Sequence, residues 1–536
     1  MIVERILYNG SIVTLDERQP RVSALAISQG YITAAGSDDE ILALARPGAA
    51  RQNLNGAFVI PGLTDAHIHW QLLSQSLAAI PLHDIPSKQA AIGRVAERAA
   101  SVPSGSWIEG YGWSQDIWEG KQFPTAADLD RVSPDHPVFL RARSLHAAWA
   151  NSLALRMCDI DETTPDPEGG AIARDSDGQP TGILLEPAAM NLVSRCIPAL
   201  FGDRLVDQML QAQDLALSLG MTGIHDFDDQ ECFSALQRLR ERGQLGLRVV
   251  KNVNRKYLDS LLDTGLRAGF GDDWLRIGAL KLFADGAIGP RTAYMIEPYD
   301  GEPDNYGIAV IDKEEMTEMI SRASAAGLAS SVHAIGDRAV HDVLDAFEIV
   351  RREETQRGEA RASRRHRIEH VQLIHPDDLN RLAELDVIAS MQPVHATSDY
   401  LMADRYWGKR AAYAYNPRLQ LDRGVVVAFG TDAPVEAVGP LPGIHAAVTR
   451  QRADGSPGSD GWIPSARLTV DEALRGFTTG PAYAAGMEDR LGRLKPGYLA
   501  DLVVLDRDLY KILTSDILKA QVLATMVGGV WRYGSL

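Results

Sequence analysis

Residues 57–69, AFVIPGLTDAHIH, decide the fold. A β-branched apolar run passes through a Pro-Gly turn into a second apolar stretch, which reads as a buried strand and ends on His67-Ile68-His69. Two imidazoles two residues apart on a strand point to one face and can grip one metal ion. The end of such a strand is also where barrel enzymes place catalytic side chains. Seven further strand-like stretches follow: MTGIHDF (221–227), LRVVKNV (247–253), IGALKLFADG (277–286), LASSVHAIG (328–336), HRIEHVQ (366–372), VIASMQP (387–393) and VVVAFGTD (425–432). Helix-like runs such as RLVDQMLQAQDLALSLG (204–220) and EEMTEMISRASAAG (314–327) lie between several of them. That alternation is the signature of βα units around a parallel sheet, and eight strands close a barrel.

Outward from this core, residues 1–60 read as short strands broken by Gly, Asn and Asp turns, and residues 491–536 have the same texture. Two β-rich ends can complete one sheet across a larger central domain, here 61–490. Between the first and second barrel strands, about 72–200, lie extra strands such as SWIEGYGW, VFLRARSLHAAW and GILLE. These define an inserted α+β subdomain, expected to cover the barrel mouth.

The chain has 536 residues with 45% hydrophobic and 23% charged, the make-up of a folded globular protein. A formal charge of −17 repels phosphate backbones and anionic headgroups, so neither nucleic acid nor a membrane is an expected partner. Apolar stretches are broken by charge before they could span a bilayer, and residues 1–17 alternate like a strand rather than a leader. Cys158, Cys196 and Cys232 are too few and too dispersed for a disulfide framework, which fits a reducing cytoplasm.

Other chemistry-bearing residues sit at strand ends. His333 closes LASSVHAIGD and His370 closes HRIEHVQ; singly each reads as a satisfied core or cap histidine, but four histidines at strand ends point to a metal. Asp432 follows VVVAFGT and would bring a carboxylate base to the same rim, or else cap a helix. Lys281 stands among apolar residues in IGALKLFADG, and a buried ammonium needs either an ion pair, with Asp285 within reach, or altered chemistry such as carbamylation.

The set PGLTDAHIH, KLFADGAIGPRTA, VHAIGDRAV, RIEHVQ, SMQPVHATSD and FGTDAPV, in this order, resembles the amidohydrolase superfamily, in particular its family 3, the YtcJ-like branch that includes N-substituted formamide deformylases. The likeness extends into the insert (GWSQDIW, PTAADLD, PDHPVFLRARSLHAAWANSLAL) and to FTTGPAYAAGMEDRLGRLKPGYLADLVVLD near the C-terminus. It implies a distorted (β/α)8 TIM barrel with a β-sandwich built from both termini. It also implies two divalent ions, with Zn2+ favoured by the N/O-rich ligands. His67 and His69 would hold the first ion and Asp432 would complete that site. Carbamylated Lys281 would bridge, and His333 with His370 would hold the second ion. Pro290 departs from the pattern, standing where related sequences often carry a small polar residue before Arg291-Thr292.

The activity this implies is hydrolysis of a C–N amide-type bond in a small molecule (an N-substituted formamide, an N-acyl compound or a cyclic amide) by metal-activated hydroxide, with Asp432 as base and then acid. Trp113, His146, Arg291 and His395 are the candidate substrate contacts, with Trp118, Trp149, His225, Asp399 and Tyr400 as further pocket walls. Packing is the alternative for any one tryptophan. Two other readings stay open: a mononuclear deaminase or isomerase with unmodified Lys281, and a silent barrel that only binds. A homodimer is the base-rate expectation.

Overall fold

The computed structural model describes residues 3–198 and 202–535. Its central sheet has eight strands in parallel: β1 Leu63–Ile68, β2 Met221–Asp226, β3 Arg248–Asn254, β4 Leu275–Phe283, β5 Ser330–Ala334, β6 Arg367–His370, β7 Ile388–Met391 and β8 Val427–Phe429. Each strand pairs with its neighbour in chain order, from β1 through to β8. These are the eight strands read from the sequence, and most are buried throughout, as a sheet covered by helices requires.

The seam between β8 and β1 is closed by side chain as well as backbone. The Asp65 carboxylate accepts from the backbone N–H of His67 and Thr431 (both 3.0 Å) and from the Thr431 hydroxyl (2.5 Å), while Asp432 N–H donates to His67 O at 2.7 Å. Complete burial raises the Asp65 pKa to about 7 against these hydrogen bonds. Gly430 is required at this seam, because a Cβ there would lie 2.4 Å from His67 N.

Strands from both ends of the chain share one six-stranded sheet, in which Phe58–Pro61 pairs antiparallel with Leu502–Leu505. A four-stranded sheet of Arg5–Tyr8, Ala24–Ser28, Tyr31–Gly36 and Ala50–Asn53 packs with it through Leu7, Leu25, Ile27, Val59, Leu502 and Met526. The result is a β-sandwich built from both termini.

Contacts divide the chain into two units. The larger comprises Met1–Trp70, Gln213–Asp432 and Val438–Leu536; the smaller comprises Gln71–Ala212 and Ala433–Ala437, against the 72–200 expected for the insert. The smaller unit has a six-stranded mixed sheet, with Val138–Ala142 at its centre between Ile108–Trp113 and Ala147–Ala150. Trp113, Trp118 and Trp149 pack together in its core, and their indoles donate to the carbonyls of Leu140, Ile85 and Thr125. Among the described residues no helix is long and apolar enough to cross a membrane.

Candidate metal centre

The carboxyl ends of the barrel strands bring together side chains far apart in sequence. His67 and His69 leave β1 on the same side, and both Nε2 atoms approach Asp432 Oδ1, at 3.5 and 3.4 Å. His370, at the end of β6, has its ring centroid 4.8 Å from that of His67 and 4.6 Å from that of His333 on β5. Ligand atoms of His67, His370 and Asp432 all lie within 4.8 Å of one another, close enough to share one ion. His395 enters from helix Pro393–Trp407, with Nε2 3.3 Å from Asp432 Oδ2. His370 and Asp432 both sit at positive φ, 76° and 60°, a costly backbone for side-chain-bearing residues that clusters at functional sites.

Hydrogen bonds fix which imidazole nitrogens face inward. His67 Nδ1 meets Glu369 Oε2 at 2.6 Å, His69 Nδ1 meets Asp228 Oδ1 at 2.9 Å, and His370 Nδ1 meets Gln392 Oε1 at 2.9 Å. Protonated Nδ1 atoms held this way leave Nε2 lone pairs for a metal, the usual means of orienting ligand histidines. His333 differs, since its Nε2 lies 2.9 Å from Gly286 O; a metal would bind it through Nδ1.

Burial and the neighbouring charges pull the two β1 histidines in opposite directions. Burial would lower the His69 pKa, yet its hydrogen bond to Asp228 and the nearby Asp432 carboxylate lift it to about 10. Burial lowers the His67 pKa to about 4, aided by the charge on Lys281. Burial alone would raise Asp432, but His67, His395 and His69 hold it well below the usual carboxylate range. Three buried polar atoms here make no well-formed hydrogen bond among the described residues: Lys281 Nζ, and His67 Nε2 and Asp432 Oδ1, which face each other at 3.5 Å. Polar atoms in protein interiors are nearly always satisfied, so a group of them at one barrel end fits a metal centre.

Lys281 is 1% exposed near the end of β4, with Nζ 4.4 Å from the Phe227 ring centre and 4.6 Å from that of Phe283. The ion pair with Asp285 is not formed: the Asp285 carboxylate accepts the backbone N–H groups of Tyr294, Ile335 and Gly336 instead. Burial lowers the Lys281 pKa to about 8, against the pull of Glu369 and Asp432.

Of the candidate substrate contacts on the larger unit, His395 lies beside this group. Arg291 is partly exposed and paired with Glu302. In the smaller unit Trp113 is fully buried, and His146 Nδ1 lies 2.7 Å from Glu186 Oε2. His225 on β2 points into the barrel, where its Nδ1 accepts from Arg367. Glu369, Asp228 and Gln392 join the site only through the fold. Glu369 carried a signal, a charge inside the apolar strand RIEHV of the same kind that drew attention to Lys281.

A parallel barrel with histidines and a carboxylate converging at the strand ends defines the class, a metal-dependent hydrolase scaffold. The chain belongs to the amidohydrolase family, whose family-3 model matches residues 52–533. It is 33% identical to the protein LONG AFTER FAR-RED 3 of Arabidopsis thaliana, over 99% of this chain and 92% of that protein. It is 30% identical to N-substituted formamide deformylase of Arthrobacter pascens, over 98% of each. An uncharacterised metal-dependent hydrolase from Pyrococcus horikoshii superposes with a TM-score of 0.80 at 29% identity, covering 95% of this chain and 99% of that one.

Proposed function

We propose that the protein hydrolyses a C–N amide-type bond of a small molecule, with N-substituted formamides, N-acyl compounds and cyclic amides as the substrate classes to test first. The observation that carries this reading is that three buried polar atoms without a well-formed hydrogen bond, on His67, Lys281 and Asp432, occur at the strand ends of a member of the amidohydrolase family. The similarity to N-substituted formamide deformylase supports the choice of bond.

In this reading His67, His69 and Asp432 hold one divalent ion, His333 and His370 a second, and Lys281 carries a carbamate between them. Zn2+ suits the ligand set. When bound, such ions lower the pKa of water toward neutrality and polarise a carbonyl. The chain's own groups do the rest. A lysine with a pKa of about 8 is partly neutral at physiological pH, so its amine can add to CO2 and release a proton. Asp432 stays ionised and can take the proton of an attacking water, then return it to the departing nitrogen. His395, at Oδ2, orients that carboxylate.

One observation favours a mononuclear alternative: the His67, His370 and Asp432 atoms already make a compact triad. The test is a panel of the three amide classes on Zn2+-reconstituted protein beside Asp432→Asn. We expect turnover in one class and a fall of roughly 10²–10⁴-fold or more in the variant, with the fold retained. Near-wild-type rates in Asp432→Asn would refute its role.

A further inference from the structure

Below the metal centre, the barrel interior contains a buried charged pair of which only the carboxylate, Glu369, touches a candidate ligand. Small barrels usually fill this space with branched apolar side chains. Here Arg367, 2% exposed at the start of β6, reaches three other strands as well as Glu369 on its own. Its Nη1 donates to His225 Nδ1 on β2 (2.9 Å) and its Nη2 to Ala66 O on β1 (2.6 Å), Ser390 Oγ on β7 (2.6 Å) and Glu369 Oε2 on β6 (3.0 Å). Glu369 is fully buried; the Ser331 hydroxyl on β5 donates to its Oε1, and its Oε2 receives His67 Nδ1.

A buried ion pair is costly to desolvate, and apolar residues of similar volume often serve stability as well or better. The geometry therefore points to a task in the site. We propose that Glu369 and Arg367 are positioning residues for the metal centre: Glu369 holds His67 with Nδ1 protonated so that Nε2 faces the ion, and Arg367 and Ser331 lock Glu369 in that pose. The inference rests on the reading of His67 as a metal ligand. It adds that ion affinity depends on a network running down the barrel axis to His225, on residues that touch neither ion nor substrate.

The test is Zn2+ affinity of the metal-free protein, measured by competition with a chelator, together with the visible spectrum of the Co2+-loaded form. Glu369→Leu is expected to weaken Zn2+ binding by roughly 10–100-fold, the usual effect of removing a ligand's outer partner. Glu369→Gln, which still offers an acceptor to Nδ1–H, should recover part of that loss. Co2+ bands should change in both variants and stay unchanged in Glu354→Gln, a control in another buried cluster. Because a single variant leaves one charge unpaired, Arg367→Met/Glu369→Leu removes both and should also bind weakly, while Ser331→Ala gives a smaller loss in the same direction. A folded double variant that binds Zn2+ within about twofold of wild type would overturn the proposal. Wild-type protein that binds neither ion would instead overturn the reading of His67 as a ligand, and this inference with it.

Discussion

Lys251 on β3 and Lys281 on β4 occupy adjacent barrel strands and are 2% and 1% exposed, but their surroundings differ completely. Lys251 Nζ lies 2.7 Å from Asp226 Oδ2 and donates to the carbonyls of Asn252 and Asp228. Burial would lower its pKa, but Asp226 outweighs it and the net shift is upward. Lys281 has two aromatic rings, no hydrogen-bond partner and a pKa lowered to about 8. A buried charge with its partners in place belongs to the architecture. One without them, at the catalytic end of a barrel, marks chemistry that the protein atoms alone leave incomplete.

This contrast can be broken most sharply by exchanging each lysine for methionine. Lys281→Met should abolish hydrolysis and reduce metal content, while the metal-free protein loses no stability, since no partner is orphaned; urea unfolding and elemental analysis would check both. Lys251→Met should keep Lys281 chemistry intact in whatever fraction folds but cost about 3–5 kcal/mol, because Asp226 is left as an uncompensated buried charge. If Lys281→Met proved the more destabilising of the two in metal-free protein, the distinction would be wrong.

A smaller effect should come from Glu354, a buried carboxylate with its partners in place: it accepts from Ser324 Oγ (2.6 Å), His366 Nε2 (2.9 Å) and Arg351 Nη1 (2.7 Å). Burial raises its pKa, but these bonds win and hold it at about 2, against 4.5 when free. Its folded pKa is depressed, so its contribution, on the order of 3 kcal/mol, is complete above the unfolded pKa and is lost as pH falls from about 4.5 through about 2. Glu354→Gln should flatten the acid limb of the stability curve in that window, measured by denaturant midpoints at several pH values. An unchanged limb would count against the pairing. The smallest effect is expected at Arg291, where the exposed pair with Glu302 is worth at most about 1 kcal/mol. Arg291→Ala should leave the melting temperature nearly unchanged; a large rise in KM would restore it as a substrate contact.

The barrel was legible because its strands are continuous apolar runs with short punctuation, and residues 57–69 already carried the strand, the turn and the paired histidines. His333, His370 and Asp432 were legible because strand ends give a polar residue a defined place. Glu369 and Asp228 were harder, since a carboxylate that binds a histidine carries no spacing of its own; only the barrel places Glu369 beside His67 from 302 residues away. Any one tryptophan reads from sequence more readily as core than as pocket wall, and for Trp113 packing against Trp118 and Trp149 accounts for its burial. The missing Asp285 partner of Lys281 has a similar cause. Backbone N–H groups of residues 294, 335 and 336 take that carboxylate, and no local pattern announces them.

The most direct test is the metal-to-protein ratio, by elemental analysis, of protein purified without chelator or added metal, paired with intact mass in bicarbonate buffer. The account predicts a ratio of about two and the added mass of one CO2, both lost in Lys281→Met. A ratio of about one without added mass would leave the mononuclear alternative and an unmodified Lys281. Protein that holds no metal, and takes up none when divalent ions are supplied, would contradict the account.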